Sequence, residues 1–263
     1  MNSSYFEKKI NVESRYVNRA RVLRTSVLFQ LIQELTVEST EKAGITRNFT
    51  LDRGLLWIIA KQSFDVKRMP AYDETITLRL YPMKTMHIFF PRYIEVYSEG
   101  ITRYENDALN RREDSSSPII TGTSLWLLMN EKERTMVFPD KAGIRIDGVK
   151  APQGASLPKG VAIPHDDTDE IIFSGSRELT AGWSLSDMNG HLNNSRYFDI
   201  ADDLIPLDEI GQLSPKGFQA EYINEILPGD RLFVEYKKTA DAWYFRGELI
   251  EKGKQAFRLK IAY

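Results

Sequence analysis

The sequence predicts an α+β fold in which a curled antiparallel sheet wraps one long helix, and it predicts this arrangement twice. Three observations carry the prediction. The order strand, helix, several strands occurs in both halves; one long segment has apolar residues at helical spacing; and a Pro-, Gly- and Asp-rich stretch from Pro139 to Asp169 separates the halves.

Tyr5 to Tyr16 reads as a first strand, with Phe6, Ile10 and Val12 only loosely alternating. Arg21 to Thr40 reads as a helix, because Val27, Leu28, Leu31, Ile32 and Leu35 recur every three or four residues and Gly44 can end it. Strands are expected over Gly54–Ala60, Thr75–Leu80, Phe89–Tyr97 and Thr123–Asn130. Glu99 to Gly122 has the composition of a solvated excursion at a hairpin tip. Pro152, Pro158 and Pro164 mark the crossing between halves. The order then returns: a strand from Ile171, a helix over Ser195–Leu207 with Ile200, Ala201, Leu204 and Ile205 on its apolar face, and strands at 217–224, 231–237, 243–251 and 255–263. Phe64…Pro70-Ala71-Tyr72-Asp73-Glu74 in the first half resembles Phe218…Pro228-Gly229-Asp230 in the second. The expected units are residues 1–138, a linker at 139–169, and residues 170–263.

Composition excludes several chemistries. The 263 residues contain no cysteine, so disulfides, thiolate-bound zinc and a cysteine nucleophile are ruled out. Three histidines leave little material for a metal site, and neither metal nor cofactor is expected. A net charge of −2 without a long basic block argues against nucleic acid as a partner. No apolar run approaches the ~20 residues that span a bilayer, and Met1 to Ile10 lacks a signal-like stretch, so a cytoplasmic protein with no membrane partner is expected.

Asp187-Met188-Asn189-Gly190-His191-Leu192-Asn193-Asn194-Ser195-Arg196-Tyr197 is the most informative segment. A carboxylate, a carboxamide and an imidazole occupy alternate positions, which an extended or irregular segment would turn to one side. The helix start that follows offers unpaired backbone N–H groups for a developing oxyanion, and Leu192, Asn193 and Asn194 are the candidate donors. Asn193 or Asn194 could equally cap the helix, and Asp187 could be a turn residue.

The motif Asp187-x-Asn189-x-His191-x-Asn193-Asn194-x-x-Tyr197, followed by Glu221 in Phe218-Gln219-Ala220-Glu221-Tyr222, resembles the acyl–acyl carrier protein thioesterases. Gly54-Leu55-Leu56-Trp57, Pro70-x-x-x-Glu74-Thr75 and Thr123-Ser124-Leu125-Trp126-x-x-Met129-Asn130 extend the resemblance through the first half. It covers nearly the whole chain outside the 99–122 loop. The resemblance implies two hotdog domains in tandem and hydrolysis of fatty acyl–acyl carrier protein to free fatty acid, with the carrier protein as partner. It further implies a bacterial member. Plant members commonly carry cysteine after the glutamate, where Tyr222 stands here, so a papain-like mechanism is excluded while the carboxylate mechanism that the resemblance implies stays available.

On this basis Glu221 is the expected general base, with Asn189 and His191 positioning water or substrate and Asp187 orienting one of them or sharing the base role. A covalent anhydride route is the alternative. Val27, Leu31, Leu56 and Trp57 are expected to line the acyl tunnel, and Arg19, Arg21, Arg24, Lys67 and Arg68 to form a basic face for the acidic carrier. Acyl-coenzyme A hydrolysis, a non-enzymatic acyl-thioester binder and, more weakly, a dehydratase are the competing readings. Either a monomer or a homodimer is compatible with the tandem arrangement.

Overall fold

The computed structural model describes residues 5–101, 116–165 and 170–263. Eleven strands are all joined antiparallel: β1 (Phe6–Asn11), β2 (Leu55–Val66), β3 (Glu74–Pro82), β4 (Phe90–Ile101), β5 (Ile120–Asn130), β6 (Met136–Val137), β7 (Gly175–Thr180), β8 (Gly217–Tyr222), β9 (Arg231–Lys238), β10 (Ala242–Leu249) and β11 (Lys254–Ala262). Among the described residues five α-helices accompany them: α1 (Thr25–Lys42), α2 (Arg47–Leu51), α3 (Pro139–Ala142), α4 (Arg196–Asp202) and α5 (Leu207–Ile210). Among the described residues no helix is long and apolar enough to cross a membrane.

The sheet runs β1-β3-β4-β5-β2-β8-β11-β10-β9-β7, with β6 beside β5. Read outward from the central β2–β8 pair, the first half is β2, β5, β4, β3, β1 and the second is β8, β11, β10, β9, β7. The two orders correspond strand for strand. At the seam Phe64 stands opposite Phe218. Phe29 of α1 stacks on Phe198 of α4 with centroids 4.4 Å apart and meets both strand phenylalanines edge-on. One main apolar core therefore runs through both halves. Gly122 lets Phe64 lie flat against β5, since a Cβ there would sit 2.2 Å from the ring.

Helix α1 forms because its stripe of Val27, Leu28, Ile32 and Leu35 is buried, and Gly44 closes it at φ +84°. The second helix is shorter than its pattern predicts. It ends at Asp202, because Pro206 has no N–H and holds its predecessor out of the helical region; Leu204 and Ile205 are buried from the turn instead. The strand expected from Ile171 begins at Gly175. Most of the expected excursion between β4 and β5 lies outside the described residues.

The segment after α3 crosses the sheet on the face away from α1 and α4. Val161 and Ile163 pack there on Ala242 and Tyr244, while the intervening Trp243 joins the helix-side core. Pro164 O accepts from Lys237 Nζ at 2.9 Å.

Candidate active site

Residues 187–191 form a tight turn rather than an extended approach. Ser186 bridges Leu192, Asp187 N–H donates to His191 O at 2.8 Å, and Gly190 takes φ +78°. The Asp187 carboxylate holds this turn from inside, accepting from Asn189 N at 2.8 Å and His191 N at 3.4 Å. Its placement is that of a turn residue. The turn projects Asn189 and His191 in separate directions toward two arginines of the first half.

One arginine is Arg47, at the start of α2, whose Nη2 donates to Asn189 Oδ1 at 3.3 Å. The other is Arg134, beyond β5, whose Nη1 lies 3.2 Å from both His191 Nε2 and Glu225 Oε2. Glu225 Oε2 is itself 3.0 Å from His191 Nε2. A guanidinium and an Nε2–H cannot donate to each other, so the consistent assignment has Glu225 accepting from both. His191 is nearly buried, whereas Glu225 and Arg134 each keep more than a third of their side chains exposed. An imidazole, a carboxylate and a guanidinium thus meet at a half-open edge.

Glu221 is not part of this group. Phe218, Ala220 and Tyr222 face the helices, so strand alternation turns Glu221 to the other side of the sheet. There it pairs with Lys61 Nζ at 2.7 Å beneath the crossing segment, accepting also from Val161 N at 3.4 Å. The carboxylate beside His191 is Glu225, four residues on and past the strand end. The residue after it is Ile226, fully buried, so here too no thiol follows the glutamate.

Two of the three expected oxyanion donors are consumed. Leu192 N donates to Ile226 O at 2.8 Å and Asn193 N to Leu185 O at 2.9 Å. Among the described residues no acceptor takes the Asn194 N–H. Asn193 Oδ1 accepts from both Ser195 N and Ser195 Oγ, at 2.9 and 2.7 Å, and so braces the start of α4. Tyr222 fastens the same point by donating from its hydroxyl to Asn194 O at 2.9 Å. Burial, reinforced by Tyr197, pushes the Tyr222 phenol well up, so it stays a donor.

Asn189 also lines a pocket of about 670 Å³, its open mouth included, that lies between α1, α2 and strands β2, β4 and β5. Of the four residues named for an acyl tunnel, Leu56 and Trp57 line this pocket. Val27 and Leu31 do not: Val27 is buried in the main core and Leu31 packs against that core. The later turns of α1, from Gln33 to Glu41, supply the helical wall instead. Its lining also includes Arg92, 1 % exposed, whose guanidinium burial pulls down to about 10 and which therefore stays charged at neutral pH.

The expected basic face is only partly available. Arg68 is committed to a bidentate pair with buried Glu74, at 2.8 and 3.0 Å, and Arg24 donates to Arg15 O at 2.7 Å. Arg19, Arg21 and Lys67 are exposed.

Comparison with known proteins agrees with this architecture. Residues 3–140 match the acyl-ACP thioesterase N-terminal domain and residues 174–263 the acyl-ACP thioesterase C-terminal domain. A chloroplastic acyl–acyl-carrier-protein hydrolase of Cuphea viscosissima is 22% identical over 229 residues, covering 84% of this chain and 52% of that protein. A chloroplastic dodecanoyl–acyl-carrier-protein hydrolase of Cinnamomum camphora is 22% identical over 239 residues, covering 84% and 56%. The chain thus spans about half the length of the curated relatives it matches. In fold it is similar to a 12:0-ACP thioesterase of Umbellularia californica (TM-score 0.78, 17% identity, 100% and 98% of the two chains covered). It is likewise similar to an acyl-ACP thioesterase of Bacteroides thetaiotaomicron (TM-score 0.76, 17% identity, 98% and 97% covered). With both halves matched, the chain belongs to the acyl-ACP thioesterase family.

Proposed function

We propose that this chain hydrolyses the thioester of fatty acyl–acyl carrier protein, releasing fatty acid and the carrier's thiol. In this reading its halves, 1–138 and 170–263, are tandem hotdog domains joined by the 139–169 segment, and the second half bears the chemistry. The carrying observation is the 3.0 Å pair of His191 Nε2 and Glu225 Oε2 on the turn whose Asn189 lines the pocket.

Glu225 acts as the base. A water beside His191 loses a proton to the carboxylate as its oxygen bonds to the thioester carbon. Arg134 and His191, at 3.2 and 3.0 Å from the same carboxylate oxygen, fix its direction. Asn189, with its oxygen held by Arg47, turns its amide N–H groups, which have no acceptor among the described residues, to polarising the carbonyl, and Asn194 N–H is the remaining backbone donor. The tetrahedral oxyanion then collapses, the C–S bond breaks, and sulfur leaves as thiolate, a departure its thiol pKa of about 8.5 makes easy. The thiolate takes up the proton held by Glu225, restoring the base.

The test measures thiol release from acyl–carrier protein with a chromogenic reagent. Glu225→Gln should lower kcat/KM about 10²- to 10⁴-fold, while Glu221→Gln should leave it within about threefold. Loss in Glu221→Gln with activity kept in Glu225→Gln would reject this site.

A further inference from the structure

A buried polar row crosses the helix-facing side of the sheet. Arg92 of β4 stands opposite Ser124 of β5, which stands opposite Gln62 of β2. All three are at most 3 % exposed. Two of them are satisfied: Ser124 Oγ accepts from Trp126 Nε1 at 3.0 Å, and Gln62 Nε2 donates to Tyr222 Oη at 2.6 Å. Arg92 is the exception. Of five N–H donors, one reaches Pro91 O at 3.2 Å, Nε has no partner, and among the described residues no carboxylate pairs with the guanidinium. Yet Arg92 lines the same pocket as Trp57, Trp126 and Asn189.

A plain hydrocarbon in this pocket would leave the buried, charged guanidinium with its donors still unmet, a costly arrangement. An acyl chain with an acceptor oxygen would fill the pocket and satisfy the orphan donors together. We propose that the acyl group taken here carries an oxygen along its chain, as a hydroxyl or oxo group, and that Arg92 selects for it by donating to that oxygen. This rests on the pocket being the acyl site of the thioesterase reading above.

The test uses two series, octanoyl to hexadecanoyl, each as the plain chain and with hydroxyl or oxo groups at successive carbons. One series consists of carrier-protein thioesters, read by thiol release; the other of unreactive amide analogues, read by binding. For at least one oxygen position the wild-type protein should bind the amide about 10- to 100-fold more tightly than its plain counterpart, and kcat/KM should follow. Arg92→Met should abolish or invert that ratio without lowering Tm, because it removes an unpaired buried charge. Should Arg92→Met not fold, the wild-type ratio and Arg92→Gln decide. Plain chains bound as tightly as every oxygenated one would overturn the proposal. Thiol release without oxygen preference rejects the Arg92 assignment alone, whereas preferential amide binding without thiol release supports it and rejects the hydrolase reading.

Discussion

The turn Asn18–Val22 in the first half and the turn Asp187–His191 in the second are one structure carrying two different sets of side chains. In each, the first residue's N–H donates to the fifth residue's carbonyl: Asn18 to Val22 and Asp187 to His191. In each, the first side chain accepts from the third and fifth N–H groups, Asn18 from Ala20 and Val22 as Asp187 does from Asn189 and His191. The fourth residue takes positive φ, 60° at Arg21 and 78° at Gly190. The next N–H groups find matching carbonyls, Leu23 on Pro70 as Leu192 on Ile226. Where the second half has Asn189, His191 and Glu225, the first therefore has Ala20, Val22 and Met69. Backbone and scaffold are common to both; the polar side chains of the proposed site stand on one copy alone. Asn18 performs Asp187's holding task with a neutral amide, which assigns that task to geometry rather than charge.

Exchanging residues between the turns sharpens this contrast. The largest effect is expected from His191→Val, which puts the first-half residue in the second half: kcat/KM for thiol release should fall at least about 10²-fold with the fold retained. The reciprocal Val22→His should leave activity unchanged, since Met69 and not a carboxylate occupies the position matching Glu225. Equal losses in the two variants would break the comparison.

A middle-sized effect concerns the helices that follow. Helix α4 ends in Asp199, Asp202 and Asp203, and burial, then Asp199 and Asp203, raise the half-buried Asp202 carboxyl to about 7. The folded state then holds a proton that the unfolded chain releases near pH 4, so stability falls as pH rises from about 4 to about 7. Asp202→Asn should remove that fall. Its Tm advantage over wild type should be absent at pH 4 and fully developed by pH 8, read by thermal melts at each pH; a constant offset would refute the assignment.

The smallest effect should come from Asp187→Asn, which copies the first half's solution. Activity within about threefold of wild type is expected, because the amide oxygen still accepts from Asn189 and His191. A loss comparable to His191→Val would show that the charge at Asp187 takes part in the chemistry.

Much of this was legible in the sequence. The 3.6-residue stripe of α1 and the alternation of the strands located most elements, and the Asp187/Asn189/His191 spacing located the segment but not its folding into a tight turn. The repeat was legible in order, though the backbone pairing aligns Pro70 with Ile226 rather than with Pro228. Glu221 was expected beside His191, and the carboxylate that stands there is Glu225, four residues on. Phe218 and Ala220 already implied that Glu221 faces away from the helices; only the end of β8 at Tyr222, which frees the chain to turn Glu225 toward His191, was hidden. Arg47, Arg134 and Arg92 left no local signal, because their importance comes from contacts or burial created when distant strands and helices meet.

The grip of Arg47 and Arg134 on a turn more than fifty residues away has a consequence for how such a chain can be divided. Expressed alone, the second repeat would keep Asn189, His191 and Glu225 yet lack both cations that orient them and most of the pocket wall. The first copy is thus a chaperoning half of the proposed centre, and separating the two copies would dismantle that arrangement.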